Sequence, residues 1–201
     1  MKNMFYILAL FILISCNSKY DQYIAITMNY NVDLIDKVSA FVSEYLYFEP
    51  IRGFSLVADD VFDVVPISEG LENENFFVFP FLVYTDSLSQ MIILSEIKKP
   101  INVFDTDDVF LISMEHYKEI FQKNIKKAMS FKYQGFYLNQ FLMIFDEIVM
   151  VKVIFCSTFK GGVRDDKVFM IDYVLSIDGF TDKMLGVESS IASIGNKEKE
   201  R

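Results

Sequence analysis

Apolar positions in this chain recur at two spacings, every second residue and every third or fourth, and the switches between them divide it into elements. Tyr23 to Met28 reads as a short strand. Leu34, Ile35, Val38, Phe41, Val42 and Tyr45 then recur at helical spacing, which predicts a helix opened by Asn31 or Asp33 and ended by Pro50 and Gly53. From Phe54 to Val65 apolar residues alternate imperfectly around Asp59, Asp60 and Asp63, as in two short strands joined by an acidic turn. Ser68 to Asn75 is a polar loop. Phe76 to Tyr84 and Met91 to Ile97 are β-type runs flanking a polar connection, which predicts a hairpin. Beyond Pro100 the period lengthens. Phe110, Met114, Tyr117, Phe121, Ile125 and Ala128 step by three or four residues, and Asp105 or Thr106 can cap the long helix they predict. Asp107 and Asp108 in its first turn, and Lys123, Lys126 and Lys127 near its end, suit the helix dipole.

Strand periodicity returns at Phe136. Phe136 to Phe145, a tight turn at Asp146 and Glu147, Ile148 to Phe159, a loop from Lys160 to Asp166 and Val168 to Ile177 form an antiparallel meander. Gly161 and Gly162 allow the loop its positive φ. Thr181 is the expected cap of a final helix with Met184, Val187, Ile191 and Ile194 on one stripe and Gly195 at its C-cap. The architecture implied is α+β: a mostly antiparallel twisted sheet flanked by amphipathic helices that bury their stripes on it. Residues 23–195 are expected to form a single globular domain, followed by a charged tail over 196–201.

Ahead of that domain stands a different pattern. Lys2 precedes an unbroken apolar stretch from Met4 to Ile14, then Ser15 and Cys16. A membrane span needs about 20 apolar residues, so this stretch reads as an export signal with a charged start, an apolar middle and a small residue at the cut. Leu13-Ile14-Ser15-Cys16 resembles the lipobox of bacterial lipoproteins. The resemblance implies a signal peptide over 1–15, cleavage between Ser15 and Cys16, and acyl chains such as palmitate on Cys16; a simple cleaved signal is the alternative. Residues 16–22 would then tether the domain to a membrane of the cell envelope. At about 3.3–3.6 Å per residue the tether reaches at most about 25 Å, which suits a periplasm-facing body held close to its bilayer.

The order of elements over residues 54 to 194 resembles the PsbP-like and DcrB-like domains. The segments that carry this are a hairpin ending near MIILSEI, the helix beginning at Thr106, the strands QFLMIF, IVMVKVIFCSTF and KVFMIDYVLSI, and the closing GFTDKMLGVESSIASI. The chain departs from that pattern in an extra strand and helix at Tyr23 to Leu46 and in lacking Trp. The resemblance implies a non-enzymatic assembly or interaction module.

Composition narrows the chemistry. The chain is 52% apolar with 21 Phe and 11 Tyr, which excludes a disordered protein. Its net charge of −9 argues against a nucleic-acid partner, which would demand a basic face, and against anionic headgroups as a binding surface. With Cys16 acylated, Cys156 has no disulfide partner and reads as a buried thiol in VKVIFCSTF. His116, the sole histidine, reads as a solvated residue near Glu115 and Glu119, with no nucleophile indicated beside it. Three acidic groups lack calcium-loop spacing and read as turns or helix starts: Asp59, Asp60 and Asp63; Asp105, Asp107 and Asp108; Asp165 and Asp166. Gly161-Gly162 lacks the Lys-Ser or Lys-Thr of a phosphate loop. No catalytic, cofactor or metal site is therefore expected.

The aromatic surplus points elsewhere. Phe76, Phe77, Phe79 and Phe81 crowd one strand and include neighbours that must face opposite ways, so a face without a covering helix becomes an apolar interaction patch. A second aromatic group, Phe131, Tyr133, Phe136, Tyr137, Phe141 and Phe145, reads mainly as core. The function expected is a lipid-anchored envelope protein acting as an interaction or assembly module with a protein partner. The alternative is a lipid or lipoprotein carrier with an apolar cavity, resembling the outer-membrane lipoprotein receptor.

Overall fold

Apolar runs between Phe136 and Ser176 are too long and too rich in β-branched and aromatic residues to be half-exposed, and they form the middle of one sheet. The computed structural model describes residues 23–25, 27–57, 76–86, 90–99, 109–157 and 167–195. Within them the order is β1 (Ile24–Ala25), a 3-10 turn (Val32–Leu34), β2 (Phe41–Val42), β3 (Tyr47–Phe48), β4 (Ser55–Leu56), β5 (Phe77–Thr85) and β6 (Met91–Lys98). Helix α1 (Val109–Ile120) follows, then β7 (Ile125–Tyr133), β8 (Phe136–Ile144), β9 (Ile148–Ser157), β10 (Val168–Ser176) and α2 (Ile177–Ser193). Eight strands make the sheet, in the order β1-β7-β8-β9-β10-β6-β5-β4, while β2 and β3 form a separate ribbon. Every neighbouring pair is antiparallel except β1 with β7. The α+β class and the antiparallel sheet with flanking helices hold.

Alternation along the strands loads both faces. Val151, Val153 and Phe155 of β9 with Phe169, Ile171 and Tyr173 of β10 point to the α2 side, where they meet Val187 and Ile191. Ile154, Cys156, Val168 and Met170 point the other way, beneath Phe110 and Tyr117 of α1. Segment 30–54 wraps the outer side of α2, so that helix is packed on two sides and is buried from Ile191 to Ile194 and at Gly186, Val187, Ser189 and Ser190. Three serines join the layers. Ser190 Oγ donates to the Glu49 carbonyl at 2.6 Å, Glu49 N–H donates to Ser193 Oγ at 2.8 Å, and Asn31 N–H donates to Ser189 Oγ at 3.3 Å. Gly186 allows the close approach: a Cβ there would stand 2.9 Å from Ile51 Cγ2. Among the described residues no helix is long and apolar enough to cross a membrane.

Several local expectations give way. The helix expected from Asn31 to Tyr45 is a 3-10 turn followed by the β2–β3 ribbon. Short polar side chains capture the backbone there: Asp36 accepts from Val38 N–H at 2.9 Å and from Ser39 Oγ at 2.8 Å, and Ser43 Oγ accepts from Leu46 N–H at 3.0 Å. The long helix ends at Ile120, not near Ala128, and Ile125 onward is strand β7. Gln134 and Gly135, both at positive φ (49° and 86°), make the two-residue turn that pairs β7 with β8, and that ladder outweighs the helical spacing. Helix α2 starts four residues before Thr181, because Ser176 accepts from Gly179 N–H at 3.2 Å and is the true N-cap. The strand at Tyr23 shrinks to Ile24–Ala25. Expectations for 1–22, Asp59, Asp60 and Asp63, the loop 68–75, Asp105 to Asp108, the loop 160–166 and the tail 196–201 lie outside the described residues.

Candidate functional site

Phe76 and strand β5 carry the aromatic group of the sequence, and the structure divides it. Phe76 is buried beneath α1, its ring 5.2 Å from His116 and 6.0 Å from Tyr117. It leaves the candidate patch. Phe77 and Phe79 point to the α2 side of the sheet but beyond the helix, and stand 39% and 48% exposed. Their rings meet edge to face at 6.3 Å, and Lys98, ion-paired with Glu96 at 3.0 Å, lies 5.4 Å from the Phe79 ring. Phe81 lies on the same face but is half-buried, covered by Phe169 and Phe41, and a register shift after Pro80 brings Leu82 to that face as well. β4 pairs only with Thr85 and Tyr84, so among the described residues no strand pairs with the outer side of Phe77–Leu82.

A groove of about 530 Å³ opens on the same face at the opposite side of the sheet. Met129 of β7 and Leu142 of β8 form its floor, Phe180 and Met184 of α2 one wall, and Met28 another, with Lys127, Gln140 and Glu188 among its polar groups. This volume falls within the range of about 300–1,000 Å³ typical of small-molecule sites. Methionine is the adaptable lining of surfaces that accept varied apolar shapes.

Buried polar groups sit on both faces. On the α1 side Lys152 and Asp172 face each other across β9 and β10, with Nζ 2.6 Å from Oδ1 and off the hydrogen-bond axis, so charge attraction holds them. The ammonium lies 4.4 Å from the centre of the Tyr117 ring and 3.1 Å from Met170 Sδ. On the α2 side the Glu49 carboxylate accepts from Tyr30 Oη at 2.7 Å and from Tyr47 Oη. Lys183 donates to Asp86, which also accepts from Gln90 N–H at 2.9 Å and ties the β5–β6 hairpin to α2. Burial pushes the Tyr84 hydroxyl up to about 12 and lifts that of Tyr173 further, whereas a bond from Ser39 holds Asp36 below the ordinary carboxylate range.

His116 is half-buried against Phe76 instead of solvated. Cys156 is buried on the α1 side, as its apolar run implies. Among the described residues no three His, Cys, Asp or Glu side chains gather to hold a metal. Cys16 and Ser15 lie outside the described residues. Reading β9 and β10 as plain apolar runs missed the Lys152–Asp172 pair. Its signal was present, since each is the lone charge in the middle of consecutive meander strands.

No family profile and no curated protein matches the chain. Among solved structures it is similar to the solution structure of cyanobacterial PsbP (CyanoP) from Synechocystis sp. PCC 6803, at 14% identity, covering 89% of this chain and 97% of that one, with a TM-score of 0.41.

Proposed function

We propose that this chain is a lipid-anchored envelope protein whose folded body binds another protein and performs no catalysis. The leader MKNMFYILALFILISC supports the anchor. The single observation that carries the binding role is the exposure of Phe77 and Phe79, adjacent rings on one face that no helix covers among the described residues. Large exposed apolar groups in contact are costly to leave in water and mark interaction surfaces. A photo-crosslinking residue at position 79 is expected to form a discrete adduct in intact cells, and one at Val38, which is 96% exposed on the wrap, is not. Equal adducts from both positions would reject the patch. Palmitate labelling tests the anchor, with Cys16→Ala expected to abolish it and to release the protein from membranes.

A second reading, a lipid carrier, draws support from the methionine-lined groove. A fluorescent fatty acid should then bind stoichiometrically and be expelled by Met129→Glu. Unchanged binding by that variant would exclude the groove as the carrier site.

A further inference from the structure

Although the chain is acidic overall, its positive charge is unevenly placed. Between Lys118 and Lys132 stand Lys118, Lys123, Lys126, Lys127 and Lys132 against one acid, Glu119. Lys118 is on α1, Lys123 in the turn that follows, and the others on β7, which carries no acid. All but Lys132 are exposed, and Lys132 is half-buried with its ammonium 4.8 Å from the Tyr137 ring. Acids near this end include Glu115 on α1, Asp146 and Glu147 in the β8–β9 turn, Asp178 at the start of α2, which bonds that turn, and Glu188, which shares the groove with Lys127.

The same edge receives the start of the folded chain. Among the described residues β1 pairs with β7 alone, Ile24 beside Phe131 and Ala25 beside Lys132. A tether over residues 16–22 ends there, and its reach of at most about 25 Å keeps this edge near whatever surface holds Cys16. Along β7, Lys126 and Lys132 are about 20 Å apart at the rise of a strand. The β7 lysines therefore lie within one tether length of the point where the tether joins the sheet.

We infer that the β7 edge is a membrane-docking surface, on which these lysines rest against anionic phospholipid headgroups. The inference rests on the lipid-anchor reading. It overrides the expectation, drawn from a net charge of −9, that anionic headgroups are excluded, because screening over about 8 Å at physiological salt lets a surface sense the nearest charges and not the total. Lysines on an edge strand also hinder edge-to-edge pairing, and the bulge at Lys126 serves that role without any lipid. Edge protection alone makes no distinction between neutral and anionic bilayers.

The test reconstitutes the acylated full-length protein into vesicles of phosphatidylcholine, or of phosphatidylcholine with roughly one-third phosphatidylglycerol, and reads amine acylation of each lysine by mass spectrometry. Lys126, Lys127 and Lys123 are expected to react about fivefold more slowly on the anionic vesicles, the factor that corresponds to one lysine at such a surface. Exposed Lys37, on the wrap, should react alike on both. Raising the salt to about 1 M, where screening acts over about 3 Å, should remove the protection without altering the protein. Lys126→Gln with Lys127→Gln should lower it at Lys123. Flotation with both vesicles but equal lysine reactivity overturns docking and leaves the anchor standing. Failure to float with either overturns the anchor, and the docking that rests on it.

Discussion

Lys152 and Asp172 offer the sharpest test of how the core is held. Their side chains are 3% and 11% exposed, they face each other across the two central strands, and Tyr117 closes over the ammonium. Lys152→Met keeps an unbranched apolar stem one atom shorter but leaves the Asp172 carboxylate buried beside Ile93 with its counter-charge gone. Such a break costs about 3–5 kcal/mol, because the remaining charge keeps its desolvation penalty and loses its partner. For a chain of this size about 2–4 °C of melting temperature follows each kcal/mol, so the midpoint should fall by about 6–20 °C. Asp172→Leu alone should cost a similar amount, stranding the lysine. The double variant should recover most of the loss, since apolar replacement of a whole buried pair is neutral or stabilising by about 1–4 kcal/mol. Urea denaturation of the four proteins closes the cycle. Additive losses in the double variant, or a Lys152→Met cost under about 1 kcal/mol, would refute the claim that the two charges depend on each other.

Alkaline titration should expose the buried tyrosines. With the Tyr84 pKa raised from 10.0 to about 12 by burial, the unfolded chain loses its proton first, so stability should fall as pH rises from 10 towards 12. Tyr84→Phe should flatten part of that slope, leaving the part due to Tyr173, and should cost about 1 kcal/mol at neutral pH because its hydroxyl donates to the Ser39 carbonyl at 3.0 Å. Gly186→Val should destabilise by about 2–3 kcal/mol in urea, since the new methyls press on Ile51. Iodoacetamide should modify Cys156 slowly in the native protein and fast in urea; rapid native reaction would contradict its burial under α1.

Much of the architecture is legible from local pattern. The β5–β6 hairpin, the β8–β9–β10 meander and the existence of both helices follow from alternation and turn residues, because strands joined by short turns have few ways to pair. Legibility failed where short-range chemistry competes. Leu34 to Tyr45 has helical spacing, yet Asp36 and Ser43 bind the backbone that a helix would need. Ile125 and Ala128 continue the α1 stripe, yet Gln134-Gly135 turns that segment back as β7. Gln134-Gly135 was a readable signal.

The sequence by itself determined the two apolar faces, the apolar stretch from Met4 to Ile14 ahead of Cys16, and the absence of a metal-loop or phosphate-loop motif, since each depends on residues near one another along the chain. Tertiary structure alone decided that Phe76 is core while Phe77 and Phe79 face outward, that Lys152 meets Asp172, and that scattered lysines share an edge with β1. Those are properties of strand register and helix coverage, and register is set by the whole sheet: one step of slip would exchange every inward side chain for an outward one.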